Sequence, residues 1–340
     1  MRVLIVKTSS LGDIVHTFPA LSDALQAIPD LRFDWVVEET YADIPLWHPA
    51  VDQVISTAMR RWRTSWLETW LRGDWKVFVR KLQRRRYDAV IDAQGLLKSA
   101  MITRKALGVK HGLDSASARE SQASRFYDLT HPIGREQHAI ERTRQLFARA
   151  LGYDYQPTAP DYGLALHGEA VDPEQYVIFL HGSAWASKRW PIPFWQGLRR
   201  QAEDAGYKVV LPAGSEEERK TAWQIAEGSA AAEVLPATGL NELAHLLGHA
   251  DGVVAVDTGL AHVAAAVEAP IVSLYGATST GRTGVVGKVA LAMQSAVECS
   301  PCYQRQCGEL RPGMENPPCT ESWAADEIWA RLEKQMEAGV

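Results

Sequence analysis

Cysteine is scarce in this chain and unevenly placed, with four residues, all between Cys299 and Cys319. The fold therefore does not depend on a disulfide framework spread along the chain. No run of about 18 apolar residues occurs, which argues against a membrane-spanning helix. No charged-then-apolar leader with a small-residue cleavage site precedes the polar residues that follow Val3–Val6, so a soluble, cytoplasmic protein is expected. No G-x-G-x-x-G follows the first apolar run, which weakens a nicotinamide-dependent reading. No Asp-x-Asp pair is present and the histidines are scattered, so a carboxylate site for Mg²⁺ is not evident.

What is present is alternation. At 340 residues and 46% hydrophobic content the chain suits two well-packed domains. Apolar runs alternate with helical patterns throughout, the signature of βαβ units and doubly wound parallel sheets. In the first half, strands are expected at Val3–Val6, Phe33–Val37 and Ala89–Asp92, with helices near 20–27, 75–86, 99–107 and 139–151. Gly152 reads as a helix stop, and the two prolines of Gln156–Pro160 read as a linker. The pattern restarts with strands at Tyr176–His181, Lys208–Pro212, Gly252–Asp257 and Ile271–Tyr275. This gives a domain over 1–155, a second over 156–320, and a terminal helix over 321–340. On that helix Ala325, Ile328, Trp329, Leu332 and Met336 share one face, so it is expected to pack back on the protein across the domains.

Charge divides the chain as well. The net charge is −5, yet residues 1–160 hold 23 Lys/Arg against 18 Asp/Glu while the remainder holds 13 against 23. Within Arg60–Arg86 ten basic residues meet only Glu68 and Asp74, and Trp62, Trp66 and Trp70 fall at helical spacing. Two readings stand open: a surface for an anionic membrane, or a solvated basic face whose Trp stripe packs on the core.

Ligands of open α/β sheets bind beyond the carboxyl ends of the strands, which directs attention to the strand-end loops. The first strand runs into Ser9-Ser10-Leu11-Gly12-Asp13, making Asp13 a candidate catalytic base, with helix capping as its ordinary alternative. Val253–Asp257 ends in Thr258-Gly259-Leu260-Ala261-His262, where free N–H groups of a first helical turn would meet an anion such as diphosphate. Asp257 is expected to hold that turn or bond a sugar, and His262 is as readily a packed polar group as a ligand contact. A second loop, His181–Pro191, carries Ser183, Lys188 and Arg189, suited to phosphate oxygens. A third places Glu216, Glu217 and Glu218 where a carboxylate could bond ribose hydroxyls or simply favour a helix N-terminus. Together these loops favour a nucleotide diphosphate. The spacing Cys299-x2-Cys302-x4-Cys307-x11-Cys319 suggests a structural zinc or an iron–sulfur cluster, a staple rather than a catalytic device.

Several of these segments taken together resemble the ADP-heptose:lipopolysaccharide heptosyltransferases of glycosyltransferase family 9. They are Val6–Asp13, Phe33–Glu39, Arg60-Arg61-Trp62-Arg63, Ile91–Leu96, Lys188-Arg189-Trp190-Pro191 and Val256–His262, and the likeness runs in order over nearly the whole chain. The resemblance, nearest to the branch that acts on Kdo, implies a GT-B fold of two Rossmann-like domains, the acceptor held mainly by the first and the nucleotide sugar by the second. It implies inverting, metal-independent transfer of L-glycero-D-manno-heptose from ADP-heptose to a Kdo residue of Kdo2-lipid A, at the cytoplasmic face of the inner membrane. No nucleic-acid partner is expected and no cofactor is required for catalysis.

Carried onto this sequence, the resemblance makes Asp13 the base, with Ser10 and Gly12 in the same loop. Lys188, Thr258 and Gly259 become diphosphate contacts, with Ser183, Asp257, Leu260 and His262 alongside, and Glu216 or Glu218 the ribose contact. Ser183 keeps a hydroxyl where the family has Thr, whereas Ala184 lacks the next one. Arg60, Arg61, Arg63, Gln94, Lys98 and Arg119 are expected to meet the acidic acceptor. The rival readings are the heptosyltransferase II branch, whose acceptor already carries heptose, and a GT-B nucleotide-sugar epimerase.

Overall fold

Two six-stranded parallel sheets carry the chain, each in its own compact unit, Met1–Ala165 and Leu166–Val340. The computed structural model describes residues 1–64, 73–165, 175–310 and 313–339. Trp66 and Trp70 of the aromatic stripe lie outside the described residues.

In the first unit the strands are β1 (Arg2–Val6), β2 (Arg32–Glu38), β3 (Val51–Thr57), β4 (Arg86–Asp92), β5 (Leu107–Leu113) and β6 (Leu129–His131), in the spatial order β3-β2-β1-β4-β5-β6. Val3, Leu4, Ile5 and Val6 are all fully buried. That is why the strand reads as an unbroken apolar run: helices cover both faces of a parallel sheet and leave no side for polar alternation. The helices are α1 (Leu11–Val15), α2 (Phe18–Ala27), α3 (Met59–Thr64), α4 (Asp74–Leu82), α5 (Leu97–Lys105) and α6 (Ala139–Leu151). Trp62 of α3 packs edge-on against Trp75 and Phe78 of α4, over a cluster that includes Ile55 and Val90. This member of the stripe is partly buried and packs against that core cluster.

The stretch expected as a linker is stitched to the first unit. Arg144 of α6, with its side chain 1% exposed, donates to Asp23 at 2.7 and 3.1 Å and also to the carbonyls of Gln156 and Thr158. Further on, Ala165 donates its N–H to the carbonyl of Trp47. Prolines made Gln156–Pro160 extended, but a buried guanidinium holds that extended chain, and the first unit runs on to Ala165 rather than ending at 155.

The second unit repeats the plan with β7 (Tyr176–Leu180), β8 (Lys208–Leu211), β9 (Ala232–Val234), β10 (Gly252–Val256), β11 (Ile271–Tyr275) and β12 (Ala290–Gln294), ordered β12-β11-β10-β7-β8-β9. Its helices are α7 (Ile192–Asp204), α8 (Glu216–Ala226), α9 (Leu240–His249), α10 (Gly259–Ala266), α11 (Thr280–Thr283) and α12 (Ala325–Gly339). The terminal helix α12 buries Ile328, Trp329 and Leu332 in a core shared with Phe179, Trp190, Trp195 and Val254 of its own unit, and it packs on α7, β10 and β11. Among the described residues no helix is long and apolar enough to cross a membrane.

Read from its own first strand, each sheet has the doubly wound order 3-2-1-4-5-6. The chain direction of the crossovers reverses between β1 and β4 in one unit and between β7 and β10 in the other. Those two points are where such sheets hold ligands, beyond the carboxyl ends of the strands.

Candidate active site

At the β1–β4 point the loop Lys7–Ser10 leads into α1. The Asp13 carboxylate is bonded by its own helix start: Ser10 donates from its backbone N–H and its hydroxyl to Asp13 Oδ2, both at 3.1 Å. Lys7 Nζ stands 3.8 Å from Asp13 Oδ1 and is fixed by donating to the carbonyl of Ala93 at 2.9 Å. Burial opposes ionisation of Asp13, yet Lys7, the two Ser10 hydrogen bonds and the charge of Arg119 outweigh it and hold the carboxyl below the usual aspartate range. With 37% of its side chain still exposed, Asp13 remains open to a substrate. Asp13 thus completes the capping box of α1 and stays ionised and accessible at the same time.

Behind this loop stands a polar chain. Asp92, at the end of β4 and fully buried, accepts from the Tyr127 hydroxyl at 2.8 Å and from the N–H groups of Gln94 and Gly95 at 2.9 and 3.1 Å. Burial pushes both the Asp92 carboxyl and the Tyr127 hydroxyl up. Gln94 was expected to face the acceptor, but its amide ties the two strand-end loops together. Its oxygen accepts from the N–H groups of Thr8 and Ser9, and its nitrogen donates to the Ser9 carbonyl. Lys98 Nζ reaches Ser9 Oγ at 3.4 Å from an exposed position, and Arg119 is exposed too.

Helix α3 follows β3 directly, so its arginines share the carboxyl end of the sheet with Asp13. Glu38 caps α3 by accepting from the N–H groups of Met59 and Arg60 at 3.2 and 3.0 Å. Arg61 is engaged by Glu39, in a two-pronged contact at 3.2 and 3.0 Å, and by Asp74 at 3.7 Å. Arg60 lies over the Tyr41 ring, and both Arg60 and Arg63 are exposed.

At the β7–β10 point, Thr258 is the N-cap of α10 and Gly259 its first residue, with the preceding Asp257 almost buried. Lys188 Nζ meets Asp257 Oδ2 at 2.6 Å and lies over the Trp185 ring, 4.4 Å from its centre. Thr278 donates to the same Asp257 oxygen, and Ser183 Oγ donates to the Asp257 carbonyl at 3.3 Å. The Asp257 carboxylate therefore ties Lys188 and Thr278, from two other loops, to the residue that precedes the α10 N-cap. Leu260 and His262 continue α10, the histidine buried within it.

A groove of about 680 Å³ lies beside this loop, lined among others by His181, Gly182, Arg189, Glu217, Glu218 and Cys307. Its geometry separates the two glutamates the sequence left in competition. Glu218 accepts from the N–H of Gly214 at 2.8 Å and lies so close to Gly182 that a Cβ there would stand 2.5 Å from its Oε1. Glu216 is 75% exposed and turned to Arg219. Glu217 pairs with Arg189 at 2.6 Å.

Sequence reading gave no role to Lys7, at the end of the first strand, or to Thr278. The latter sits in a small-hydroxyl loop after β11, Gly276-Ala277-Thr278-Ser279, much like the loops that were recognised.

The family model described as glycosyltransferase family 9 (heptosyltransferase) matches residues 75–311, more than half of the chain. The chain belongs to that family. It is a glycosyltransferase, of a family acting in lipopolysaccharide biosynthesis, with two parallel α/β sheets of the GT-B type. Lipopolysaccharide heptosyltransferase 1 of Pseudomonas aeruginosa is 49% identical over 310 residues, covering 90% of this chain and 87% of that one. Among solved structures, E. coli heptosyltransferase WaaC with ADP superposes with a TM-score of 0.87 at 44% identity, covering 98% of this chain and 100% of the other. The same enzyme with ADP-2-deoxy-2-fluoro heptose gives 0.83 at 42% identity, with 98% and 99% covered.

Proposed function

We propose that this family 9 member transfers L-glycero-D-manno-heptose from ADP-heptose to a Kdo residue of Kdo2-lipid A, with inversion and without a metal in the chemical step. The observation that carries the reading is Asp13. It is ionised by Lys7 and Ser10, accessible, and set at the strand-end switch point of the first unit.

An acceptor hydroxyl is a poor nucleophile at neutral pH, so a carboxylate takes its proton as the bond to the anomeric carbon forms. A single base suffices for inversion, because the leaving group departs from the opposite face. A carboxylate kept below its ordinary range is always ionised and accepts the proton only once the hydroxyl has become acidic in the transition state. The departing ADP gathers negative charge. Lys188, oriented by Asp257, and the free N–H groups at the start of α10 are suited to stabilise it, supplying the charge a metal supplies elsewhere.

Glu218 is the ribose contact this reading selects, by its place in the groove. The exposed guanidinium groups of Arg60 and Arg63, with Lys98 and Arg119, suit the carboxylates of Kdo and the phosphates of lipid A. This acidic acceptor favours Kdo over a neutral heptose. A lipid-linked acceptor places the protein at the cytoplasmic face of the inner membrane, as a peripheral protein.

The experiment is to combine purified protein, ADP-heptose and Kdo2-lipid A and to look by mass spectrometry for one added heptose. Product is expected with this acceptor. Transfer only to an acceptor that already carries heptose would move the assignment to heptosyltransferase II.

A further inference from the structure

The four cysteines converge on one small space. A cavity of about 60 Å³ is lined by Cys299, Cys302, Cys307 and Cys319 together. Cys319 comes from the short turn Pro318–Glu321, and the other three come from the loop that follows β12. The convergence is prepared by the backbone. Gly276, just beyond β11, has no side chain, and a Cβ there would lie 2.7 Å from Cys319 Sγ. Ser300 donates its hydroxyl to the Gly276 carbonyl and Tyr303 its N–H to the Ala277 carbonyl, both at 2.7 Å.

The segment has little core of its own. Cys299 is exposed, and Tyr303, Leu310 and Met314 are large apolar side chains left in solvent. The loop buries little apolar surface of its own to hold its shape.

The loop also touches the donor side. Gln304 and Arg305 lie inside the Cys302-x4-Cys307 turn, and their carbonyls accept both donors of Ser187: Oγ to Gln304 at 2.6 Å and N–H to Arg305 at 3.3 Å. Ser187 is 2% exposed and directly precedes Lys188. Trp185, whose ring faces Lys188, has the Arg305 guanidinium over it as well. The cysteine turn is therefore the platform on which the lysine loop rests.

We propose that Cys299, Cys302, Cys307 and Cys319 bind one thiophilic divalent metal, zinc by preference, and that this site fixes the Cys302–Cys307 turn so that Ser187 holds Lys188 in place. Four thiolates suit tetrahedral zinc, with Zn–S distances of about 2.3 Å. Among the described residues no three Cys, His, Asp or Glu side chains already stand in a metal-holding arrangement. Binding turns the thiols inward into the cavity by changes of side-chain rotamer and releases their protons to solvent. The metal is structural, and the cysteines are positioning residues that touch neither sugar nor acceptor. The link to Lys188 rests on the reading of this unit as the ADP-heptose site, whereas the metal site itself does not.

The test is metal analysis of the full-length protein purified without chelator from zinc-supplemented medium, followed by ADP titration calorimetry. The expected result is one zinc per chain, absent from the Cys302→Ser/Cys307→Ser variant and removable from the wild type by chelation with the far-ultraviolet circular dichroism retained. ADP affinity of the chelated protein should fall about tenfold or more, the loss of one well-placed charged contact, and return on adding Zn²⁺. No bound metal, or an intact mass lower by two hydrogens for each cysteine pair, would overturn the site in favour of free thiols or disulfides. Bound metal with ADP affinity unmoved by its removal would overturn the positioning role. Metal-loaded protein that binds no ADP at all would instead contradict the donor reading, leaving the metal analysis to decide the site.

Discussion

Lys188 and Asp257 meet at 2.6 Å with their side chains only 13% and 9% exposed, and they come from the two strand-end loops that flank the switch point of the second sheet. The pair joins the loop after β7 to the turn that starts α10, so one ion pair sets the spacing between the Lys188 cation and a helix N-terminus. Removing one partner of a mostly buried pair leaves the other uncompensated, a cost of about 3 kcal/mol or more. Lys188→Met and Asp257→Asn are each expected to weaken ADP binding about tenfold or more, and the double variant to lose less than the sum of the two. Calorimetric titration of the three variants with ADP measures the coupling, and additive losses would show that the pair does not act as a unit.

The groove distinguishes Glu218 from Glu216. Glu218→Ala is expected to reduce ADP affinity about tenfold, the value of a hydrogen bond to a charged group, while Glu216→Ala leaves it within about twofold. Gly182→Ala, which pushes on the Glu218 carboxylate, should reproduce much of the Glu218→Ala loss. Equal effects at positions 216 and 218 would return the ribose contact to ambiguity.

Much of this site was legible in the sequence, because the residues that matter follow unbroken apolar strands. Asp13 and the Asp257-Thr258-Gly259 turn stand at strand ends that no other reading of those segments would produce. What escaped is what depends on long-range pairing. Strand β12, Ala-Leu-Ala-Met-Gln, is made of good helix formers and is a strand only because β11 pairs with it. Strand β5 contains two glycines and a lysine, and β6 and β9 are three residues long. The role of Lys7 requires knowing that β4 ends beside β1, since its ammonium is fixed by the Ala93 carbonyl. The expected domain boundary fell short because nothing local to Gln156–Pro160 reveals Arg144 waiting for it.

Lys7 is the first charge to favour the ionised form of Asp13. Lys7→Met is expected to raise the Asp13 pKa, so the acid limb of kcat/KM against pH moves upward while activity near pH 8 falls less than activity near pH 5. An acid limb that does not move would remove Lys7 from the account.

His48 offers a pH-dependent stability. It is buried to 1% exposure, with Nε2 against the Ser22 hydroxyl, and burial lowers its pKa to about 4 despite the opposing charge of Asp161. Because the unfolded chain takes up the proton near 6.5 and the folded one near 4, the contribution is complete above pH 6.5 and is lost progressively as pH falls toward 4. The full window is worth roughly 3 kcal/mol. Urea unfolding of the wild type should weaken across this range, and His48→Gln should flatten that dependence without improving stability at pH 7.

The central claim is that Asp13 takes the acceptor proton, and Asp13→Asn tests it most directly, because it keeps the helix start capped while removing the base. Turnover of ADP-heptose with Kdo2-lipid A, followed by mass spectrometry alongside calorimetric ADP binding, should fall by about 10²–10⁴-fold with ADP affinity unchanged. Turnover within a few-fold of the wild type would contradict the account.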